Sequence, residues 1–227
     1  MADNTQIVLV ERPTGKLEAS HFEVRQAPMP AAGDGQVVVR NILLSQDAAN
    51  RAWMQGETYR KAMGAGEVMD GYGIGVVTAS KSDKLAVGDI VGGVTGWQDY
   101  SVHKAHHLQK MPAGIRPLSH LISLYGIAGK TAYHGLIHVG QPKEGETVLV
   151  SAAAGSVGSV VGQLARAWGC RAVGIAGGPE KCRLVTQEFG FDACVDYKAP
   201  DLQGHRHCRR AGEMRLGDRY ARLRCLH

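Results

Sequence analysis

The pattern of apolar and polar residues changes character near residue 120. Before that point, short apolar runs of strand length alternate with turn signals such as Arg12-Pro13-Thr14-Gly15 and Val87-Gly88-Asp89. The strand-like runs are Ile7–Val10, Phe22–Arg25, Gln36–Leu44, Gly73–Ala79, Asp89–Val94 and Tyr100–His103. Many short strands joined by glycine turns predict a small β-barrel or sandwich. A short helix is expected over Asp47–Met54, and the polar stretch Gln55–Gly66 is expected to be a surface loop.

After residue 120 the pattern alternates between strands and helices. The predicted elements are a helical stretch Leu121–Val139 broken near Gly126–Gly129, strand Thr147–Ala153, a helix ending at Gly169, strand Arg171–Ala176, helix Glu180–Phe189 and strand Ala193–Tyr197. Strands that alternate with helices in this way predict a parallel sheet with crossover connections. Only three strands of a doubly wound sheet, which normally has six, are visible.

A glycine turn links the first of these strands to its helix. The turn, Ala153-Ala154-Gly155-Ser156-Val157-Gly158, keeps the second and third glycines of a dinucleotide-binding turn and has Ala153 in the first place. The second glycine lets the backbone approach a pyrophosphate, and the third lets the helix pack closely on the strand. Phosphate oxygens would then meet backbone N–H groups at the helix N-terminus, so the stretch predicts a dinucleotide site.

The end of the second strand indicates which dinucleotide is bound. An NAD site usually places an acidic residue there to bind the ribose hydroxyls, but this chain has Ala176-Gly177-Gly178 followed by Glu180 and Lys181. Lys181 is near enough to attract a 2′-phosphate, which favours NADP over NAD. On spacing alone, Lys181 is equally well explained as a solvated side chain at a helix start.

The distribution of charge and the cysteines indicate the cellular compartment of the chain. The net charge of +5 lies mostly in residues 199–227, where seven arginines oppose three acidic residues. The five cysteines form no CxxC pair, which favours a reduced, cytoplasmic compartment over a disulfide framework. No signal peptide is recognised at the start, and no apolar run is long enough to cross a membrane.

The pattern stops after about Leu202, and three interpretations of the Arg-rich tail are open. A frameshifted or prematurely ended reading of a longer gene is favoured, because the periodicity is lost abruptly. A basic arm for nucleic acid is less favoured, since the tail has charge but no folded reading element. A metal site is the least favoured, because the spacing of the candidate ligands matches no common zinc module. Those ligands are His205, His207, Cys208, Cys225 and His227. Similarly, His103, His106 and His107 are expected to be surface side chains.

Several short motifs resemble one known family over about residues 6 to 201. They are Leu44-Ser45-Gln46-Asp47 with Arg51, Gly66-Glu67-Val68-Met69, Gly96-Trp97-Gln98-Asp99-Tyr100, Gly129-Lys130-Thr131-Ala132-Tyr133-His134-Gly135-Leu136, Ala152–Gly158 and Glu180-Lys181-Cys182. With these motifs the chain resembles the zinc-independent, NADP-dependent branch of the medium-chain dehydrogenases/reductases that contains prostaglandin reductases and curcumin reductase-like enzymes.

The resemblance implies a fold and an activity. It implies the α/β class, with a GroES-like β-barrel substrate domain over 1–120, a partial Rossmann (doubly wound) NADP-binding domain over 121–201 and an aberrant tail over 202–227. It also implies NADPH-dependent reduction of the carbon–carbon double bond of α,β-unsaturated ketones or aldehydes. The alternative is a truncated, inactive relative that retains at most weak cofactor binding.

The resemblance also implies roles for single residues. The expected cofactor-binding residues are Thr131, Ala154, Gly155, Val157, Gly158, Gly178, Lys181 and Tyr197. Lys181 and Tyr197 would hold the 2′-phosphate, and Thr131 would lie near the nicotinamide. Tyr59 is the catalytic candidate, because a hydroxyl donor aimed at the carbonyl oxygen stabilises the enolate formed when hydride adds to the β-carbon.

The chain departs from the family pattern at several places. Ala48-Ala49-Asn50 stands where many members have Pro-Tyr-Met, which removes an aromatic side chain from the substrate cleft. Ala65-Gly66-Glu67 replaces the Gly-His-Glu of zinc enzymes and no cysteine precedes Cys170, so no catalytic metal is expected. The expected partner is a small enone or enal. A homodimer is possible, because a three-stranded sheet has an unpaired edge strand that can pair with another chain.

Overall fold

The structure is a computed structural model that describes residues 3–57 and 61–199. It divides into two compact units, one that runs through Ile122 and one that begins at Ser123. They are called the first and the second unit below, and each is described by itself.

The first unit is built of antiparallel strands with one helix of two turns. Its elements are β1 (Asn4–Leu9), β2 (Phe22–Ala27), β3 (Gln36–Leu44), α1 (Ala48–Gln55), β4 (Tyr72–Ser80), β5 (Ile90–Val94), β6 (Tyr100–Lys104), β7 (Gln109–Lys110) and the single turn α2 (Ser119–Ile122). β1 and β2 form one sheet, and the other five strands form a second sheet in the order β6-β3-β4-β5-β7. This is the barrel-like arrangement that the alternating runs predict.

The core of the first unit lies against the central strands of the larger sheet. Val37 and Val39 of β3, Val77 of β4 and Val91 of β5 are at most 1% exposed. Register shifts between Val38 and Val39, and between Asn41 and Leu43, bend β3 along β4. Such bulges increase the twist and let an antiparallel sheet curl around its core.

The second unit alternates helices with a parallel sheet. Its elements are α3 (Ile127–Tyr133) with a π-helical continuation over His134–Gly140, β8 (Thr147–Val150), α4 (Ser156–Ala167), β9 (Arg171–Ala176), α5 (Pro179–Arg183) with a π-helical continuation over Leu184–Glu188, and β10 (Ala193–Asp196). β8 and β10 both pair in parallel with β9, in the order β10-β9-β8. This order is the 3-2-1 half of a doubly wound sheet. The predicted fold class is confirmed.

Two boundaries differ from the sequence-based predictions. β8 ends at Val150 rather than Ala153, because Ala152 adopts the left-handed conformation (φ 48°) and turns the chain out of the strand. The predicted break in the helical stretch falls at residues 123–126, whereas Gly129 lies inside α3. A Cβ on Gly129 would overlap the backbone carbonyl of Leu124, so this glycine serves close packing rather than a break.

The core of the second unit packs α4 and the sheet around Phe191. Gly162 of α4 and Gly174 of β9 both face the Phe191 ring, and a Cβ on Gly162 would overlap it. Asp192 joins the same elements, because its carboxylate binds Arg166 of α4 at 2.6 Å and accepts from the Ala172 N–H of β9 at 2.8 Å. These contacts fix the C-terminal end of α4 relative to the start of β9.

Candidate dinucleotide-binding site

The chain leaves β8 through a tight turn that is closed by its own backbone. The Gly155 N–H donates to the Ala152 carbonyl at 2.8 Å, and the Ala153 N–H donates to the Ile175 carbonyl of β9 at 3.0 Å. Ala153 is fully buried, and its methyl group fills the space above Gly174, where an added Cβ would lie 2.7 Å away. This packing explains why alanine fits the place of the first glycine.

The turn delivers the chain into the N-terminus of α4 with its backbone donors free. Gly155 is the N-cap in an extended conformation, and no described side chain caps the helix. The first helical bond is donated by Ser159 to Gly155, so the N–H groups of residues 156–158 have no acceptor within the helix. Gly155 and Ser156 are exposed. Free donors and the positive end of a helix of 12 residues make an anion-binding site.

Each glycine of this turn has its own steric reason to lack a side chain. A Cβ on Gly158 would overlap the backbone oxygen of Ala152, so the third glycine allows the first turn of α4 to lie against the loop. A Cβ on Gly155 would come within 3.1 Å of the same oxygen and would also cover the exposed backbone. Both observations fit a pyrophosphate that rests on bare backbone. Ala154 and Val157 of the same turn are half-buried.

The end of β9 forms the second part of the candidate site. Gly177 lies under the ring of Tyr197, because a Cβ there would be 2.7 Å from the phenol oxygen. Gly178 has a φ of 98°, which favours glycine, and it is the N-cap of α5. Lys181 is exposed in the first turn of α5, and Tyr197 is exposed directly after β10. Backbone and sheet order thus bring Gly178, Lys181 and Tyr197 to the same edge.

One acidic residue at this edge escaped the sequence analysis. Asp196, the last residue of β10, accepts from the Gly178 N–H at 2.7 Å and from the Lys198 N–H at 2.9 Å. These backbone hydrogen bonds, that from Gly178 first, hold the pKa of Asp196 below its usual value. The sequence analysis looked for an acidic residue only at the end of β9 and therefore found no carboxylate near the 2′-phosphate position. The signal lay in the parallel pairing, which sets Asp196 beside Ala176.

Two predicted site residues lie elsewhere or outside the described part. Thr131 is exposed on α3, a helix that packs against α4, and its place near a nicotinamide stays a prediction. Tyr59 lies outside the described residues, as do the tail over 202–227 and its histidines and cysteines. Their predicted roles stay predictions.

Much of the motif sequence in the first unit holds backbone together. Asp47 caps α1 by accepting from the Ala49 N–H at 2.9 Å, and Asn50 donates to the Asp70 carbonyl at 2.9 Å. Arg51 donates to the Gly15 carbonyl at 2.7 Å. These contacts give the Leu44–Arg51 motif a structural explanation that does not need a ligand.

The Gly96–Tyr100 motif joins the two sheets of the first unit. Asn4 donates to the Tyr100 carbonyl and accepts from its N–H, both at 2.8 Å, and the Gln98 carboxamide accepts from Gln6 at 2.7 Å. Asn41 donates to the Gln98 carbonyl at 2.7 Å. The motif therefore fixes β1 against the larger sheet.

The histidines near the end of the first unit do not gather into a larger ligand set. His103 is half-buried in β6 with Nε2 2.8 Å from the Ser101 hydroxyl, and His106 and His107 follow in a single helical turn. Within residues 3–57 and 61–199, no group of three or more His, Cys, Asp or Glu side chains is placed to hold a metal ion. In that same part of the chain, no helix has the length and apolarity needed to cross a membrane.

The first unit is antiparallel, and the parallel sheet of the second unit is entered through a turn of the dinucleotide-binding type. This architecture is similar to that of the medium-chain dehydrogenases/reductases. Residues 5–111 match the family described as the N-terminal domain of oxidoreductase. The chain is 41% identical over 200 residues to the NADPH-dependent curcumin reductase of Escherichia coli, covering 88% of this chain and 58% of that protein. It is 39% identical over 201 residues to the NADP(+)-dependent 2-alkenal reductase of Nicotiana tabacum, covering 86% of this chain and 59% of that protein.

A solved structure supports the same relationship. CurA from Vibrio vulnificus in complex with NADPH superposes with a TM-score of 0.82 at 39% identity, over 91% of this chain and 62% of that one. The chain is also 38% identical over 182 residues to prostaglandin reductase 1 of Rattus norvegicus, covering 79% of this chain and 53% of that protein, so it is similar to NADP-dependent reductases over the part that it shares with them. It spans a little over half the length of the curated relatives that it matches.

Proposed function

We propose that this chain binds NADPH through the turn at residues 153–158 and the edge formed by Gly178, Lys181 and Tyr197. We propose further that it reduces the carbon–carbon double bond of α,β-unsaturated ketones or aldehydes. The observation that carries the proposal is the exposed N-terminus of α4, whose first backbone donors have no acceptor within the helix and no cap among the described side chains. An exposed helix N-terminus preceded by a glycine turn suits a pyrophosphate.

The preference for NADPH over NADH is proposed to rest on Lys181 and Tyr197. Lys181 is an exposed cation in the first turn of α5, and a hydrogen-bonded pair of ammonium and phosphate is favourable where water is partly excluded. Tyr197 is held over Gly177 with its hydroxyl near the same strand end. Asp196 opposes this preference with its negative charge, although two backbone donors already share one of its oxygens.

The chemistry follows from where charge develops in the substrate. NADPH, when bound, supplies a hydride to the β-carbon, and negative charge then moves onto the substrate's carbonyl oxygen. A hydroxyl donor directed at that oxygen lowers the barrier electrostatically, and Tyr59 is the proposed donor from this chain. The α-carbon then takes a proton from solvent or a tyrosine.

The test is a titration of the purified chain with NADPH and with NADH, followed by fluorescence of the nicotinamide. We expect NADPH to bind and Lys181→Ala to weaken that binding by roughly tenfold, with little change for NADH. Lys84→Ala removes an exposed lysine of the first unit and serves as the matched control. Equal affinity of the parent chain for both cofactors would contradict the assignment of the 2′-phosphate site.

Turnover is measured separately, as NADPH oxidation with a 2-alkenal and with the corresponding saturated aldehyde. We expect oxidation with the alkenal alone, and a loss of roughly tenfold to a hundredfold in turnover for Tyr59→Phe with NADPH affinity kept. Binding of NADPH without any turnover would instead favour the alternative of an inactive relative. The names of the similar proteins, which are all reductases or oxidoreductases, do not support that alternative.

The cellular setting and the assembly state are also proposals. A cytoplasmic location is consistent with the cysteine usage, since the three described cysteines are free thiols. β8 pairs with β9 alone within the described residues, so its other edge can accept a strand from a second copy. Light scattering over a range of chain concentrations tests the homodimer.

A further inference from the structure

Two cysteine side chains meet at the edge that carries Lys181 and Asp196. Cys182 lies on α5 and Cys194 lies on β10, and their sulfur atoms are 3.1 Å apart. Both are free thiols, half-buried and packed against the core of the second unit. Cys182 directly follows Lys181, and Cys194 precedes Asp196 by two residues.

The contact singles out these two thiols among the cysteines of the described part. Cys170, the third, is buried at the start of β9 and donates to the Lys143 carbonyl at 3.2 Å. Burial raises the pKa of the Cys170 thiol, and the nearby carboxylates of Glu146 and Glu144 add to this effect. A buried, protonated thiol is inert towards exchange.

We propose that Cys182 and Cys194 are a redox-active dithiol, which low-molecular-weight disulfides such as oxidised glutathione convert into an intrachain disulfide. The cross-link ties α5 to β10 beside the proposed 2′-phosphate site. In a reducing cytosol the dithiol form prevails, and oxidation is transient. The cross-link itself does not depend on the proposed function, whereas its effect on NADPH binding does.

The reaction is a pair of thiol–disulfide exchanges. The Cys182 thiolate attacks one sulfur of oxidised glutathione, forms a mixed disulfide and releases one glutathione thiolate. The Cys194 sulfur then attacks the Cys182 sulfur of that mixed disulfide and expels the second glutathione thiolate, while its own proton passes to solvent. Two protein thiols are oxidised, one glutathione disulfide is reduced to two thiols, and the chain loses two hydrogen atoms.

The environment assigns the order of the two steps. Burial, followed by the hydrogen bond with Cys182, raises the pKa of Cys194 to about 12. Cys194 therefore stays protonated and donates its S–H to the Cys182 sulfur. Cys182 is the attacking residue and Cys194 the resolving one.

The cross-link acts on the cofactor site through its neighbours. A disulfide needs the sulfurs about 2.05 Å apart, so α5 and β10 must approach or their side chains must turn. Asp196, two residues after Cys194, accepts a hydrogen bond from the Gly178 N–H. We expect oxidation to shift Lys181 and Gly178 and to weaken NADPH binding by roughly threefold to tenfold.

The experiment uses the full chain with Cys208 and Cys225 replaced by serine, so that only the three described cysteines remain. The reduced protein is treated with oxidised glutathione, and its free thiols are blocked with N-ethylmaleimide before intact-mass analysis and peptide mapping. The expected product lacks two hydrogen atoms and contains a Cys182–Cys194 linkage. A stable glutathione adduct on the parent protein, or a linkage through Cys170, overturns the proposal.

Three single variants in this background check the order of events. In Cys194→Ser we expect a persistent glutathione adduct at Cys182, because no resolving thiol is present. In Cys182→Ser we expect no adduct at Cys194, and Cys170→Ser is expected to behave as the parent. An adduct at Cys194 in Cys182→Ser overturns the assigned order. The parent result does not rely on any variant of the pair, so a variant that fails to fold leaves the test intact.

The link to cofactor binding is tested on the same samples. NADPH is titrated into the reduced protein, the oxidised protein and the oxidised protein after treatment with dithiothreitol. In the parent, we expect the oxidised protein to bind NADPH more weakly and dithiothreitol to restore the affinity. We expect the reduced Cys194→Ser variant, which cannot form the cross-link, to show no loss of affinity. Equal affinity of the reduced and oxidised forms overturns the coupling, while the mass result still decides whether the cross-link forms. Absence of NADPH binding in the reduced form contradicts the proposed function instead.

Discussion

In the motifs of the first unit, polar side chains hold the backbone together, whereas in the glycine turn of the second unit small residues leave backbone groups free. Asn4 is 2% exposed and forms two hydrogen bonds with the backbone of Tyr100. In the turn before α4, no described side chain binds the first N–H groups of the helix. The family motifs of the two units therefore have different physical purposes, the first structural and the second suited to a ligand.

The two sheets differ in the same sense. β3 is paired on both sides and its inward valines, Val37 and Val39, are fully buried. β8 is paired on one side within the described residues, and Thr147, Val148 and Leu149 are only half-buried. In a doubly wound sheet the strand that enters the glycine turn is central. In the larger sheet of the first unit, β3 is thus held from both sides, whereas in the second unit the strand that leads into the candidate site is held from one side within the described residues.

The largest expected effect comes from Gly158→Val. The new side chain would overlap the Ala152 carbonyl, which is backbone and cannot rotate away, so we expect a cost of about 3 kcal/mol or more and loss of NADPH binding. Hydrogen exchange should show lost protection in β8, α4 and β9, with β3 and β4 unchanged. Gly15→Val, at a glycine with open space around it, is the control. Equal loss of protection in β3 and β4 would show that the two units do not unfold separately.

Asn4→Ala should affect the first unit alone, at a cost of about 2 kcal/mol, because it leaves both backbone groups of Tyr100 without their buried partner. Urea unfolding in a Trp168→Phe background reports this change through Trp53 and Trp97. Gln26→Ala, which removes an exposed side chain of β2, should cost less than about 0.5 kcal/mol. A drop in NADPH affinity for Asn4→Ala would contradict its purely structural role.

Asp196→Asn tests the acidic residue that the sequence analysis missed. Asparagine keeps an oxygen that can accept from Gly178 and removes the negative charge, so NADPH binding should strengthen by roughly twofold to threefold at low salt. NADH binding should stay the same. Glu188→Gln, which neutralises an exposed carboxylate of the second unit, is the control. Weaker binding of both cofactors would mean that the charge on Asp196 is needed to hold Gly178 in place.

The smallest expected effect is a pH dependence of the first unit. Burial, with a smaller contribution from His107, lowers the pKa of His103 below its usual 6.5. The unfolded chain then binds more protons than the folded chain, so stability falls as the pH drops below about 6.5 and levels off below the lowered pKa. Thermal unfolding between about pH 8 and pH 5 measures this slope, which His103→Gln should reduce. His138→Gln, at an exposed position, should leave it unchanged.

The sequence alone determined the order of the elements and the class of site. Periods of two and of 3.6 residues separate the strands of the first unit from the alternating elements of the second, because burial on one face imposes those spacings. β3 and β9 begin and end at the predicted residues, and each is paired with a neighbouring strand on both sides. The turn at 153–158 could be recognised because a close backbone approach allows few residue types.

Only the tertiary structure decided which residues that are distant in the sequence lie next to each other. Asp196 and Gly178 are 18 residues apart in the chain, and the sulfurs of Cys182 and Cys194 meet across two elements, because parallel pairing of β9 with β10 brings these residues to one edge. The end of β8 at Val150 depended on the positive φ of Ala152, a backbone choice that alanine's own preferences oppose. Local patterns set the elements, whereas long-range pairing and packing, which no short window contains, set the neighbours of each site residue.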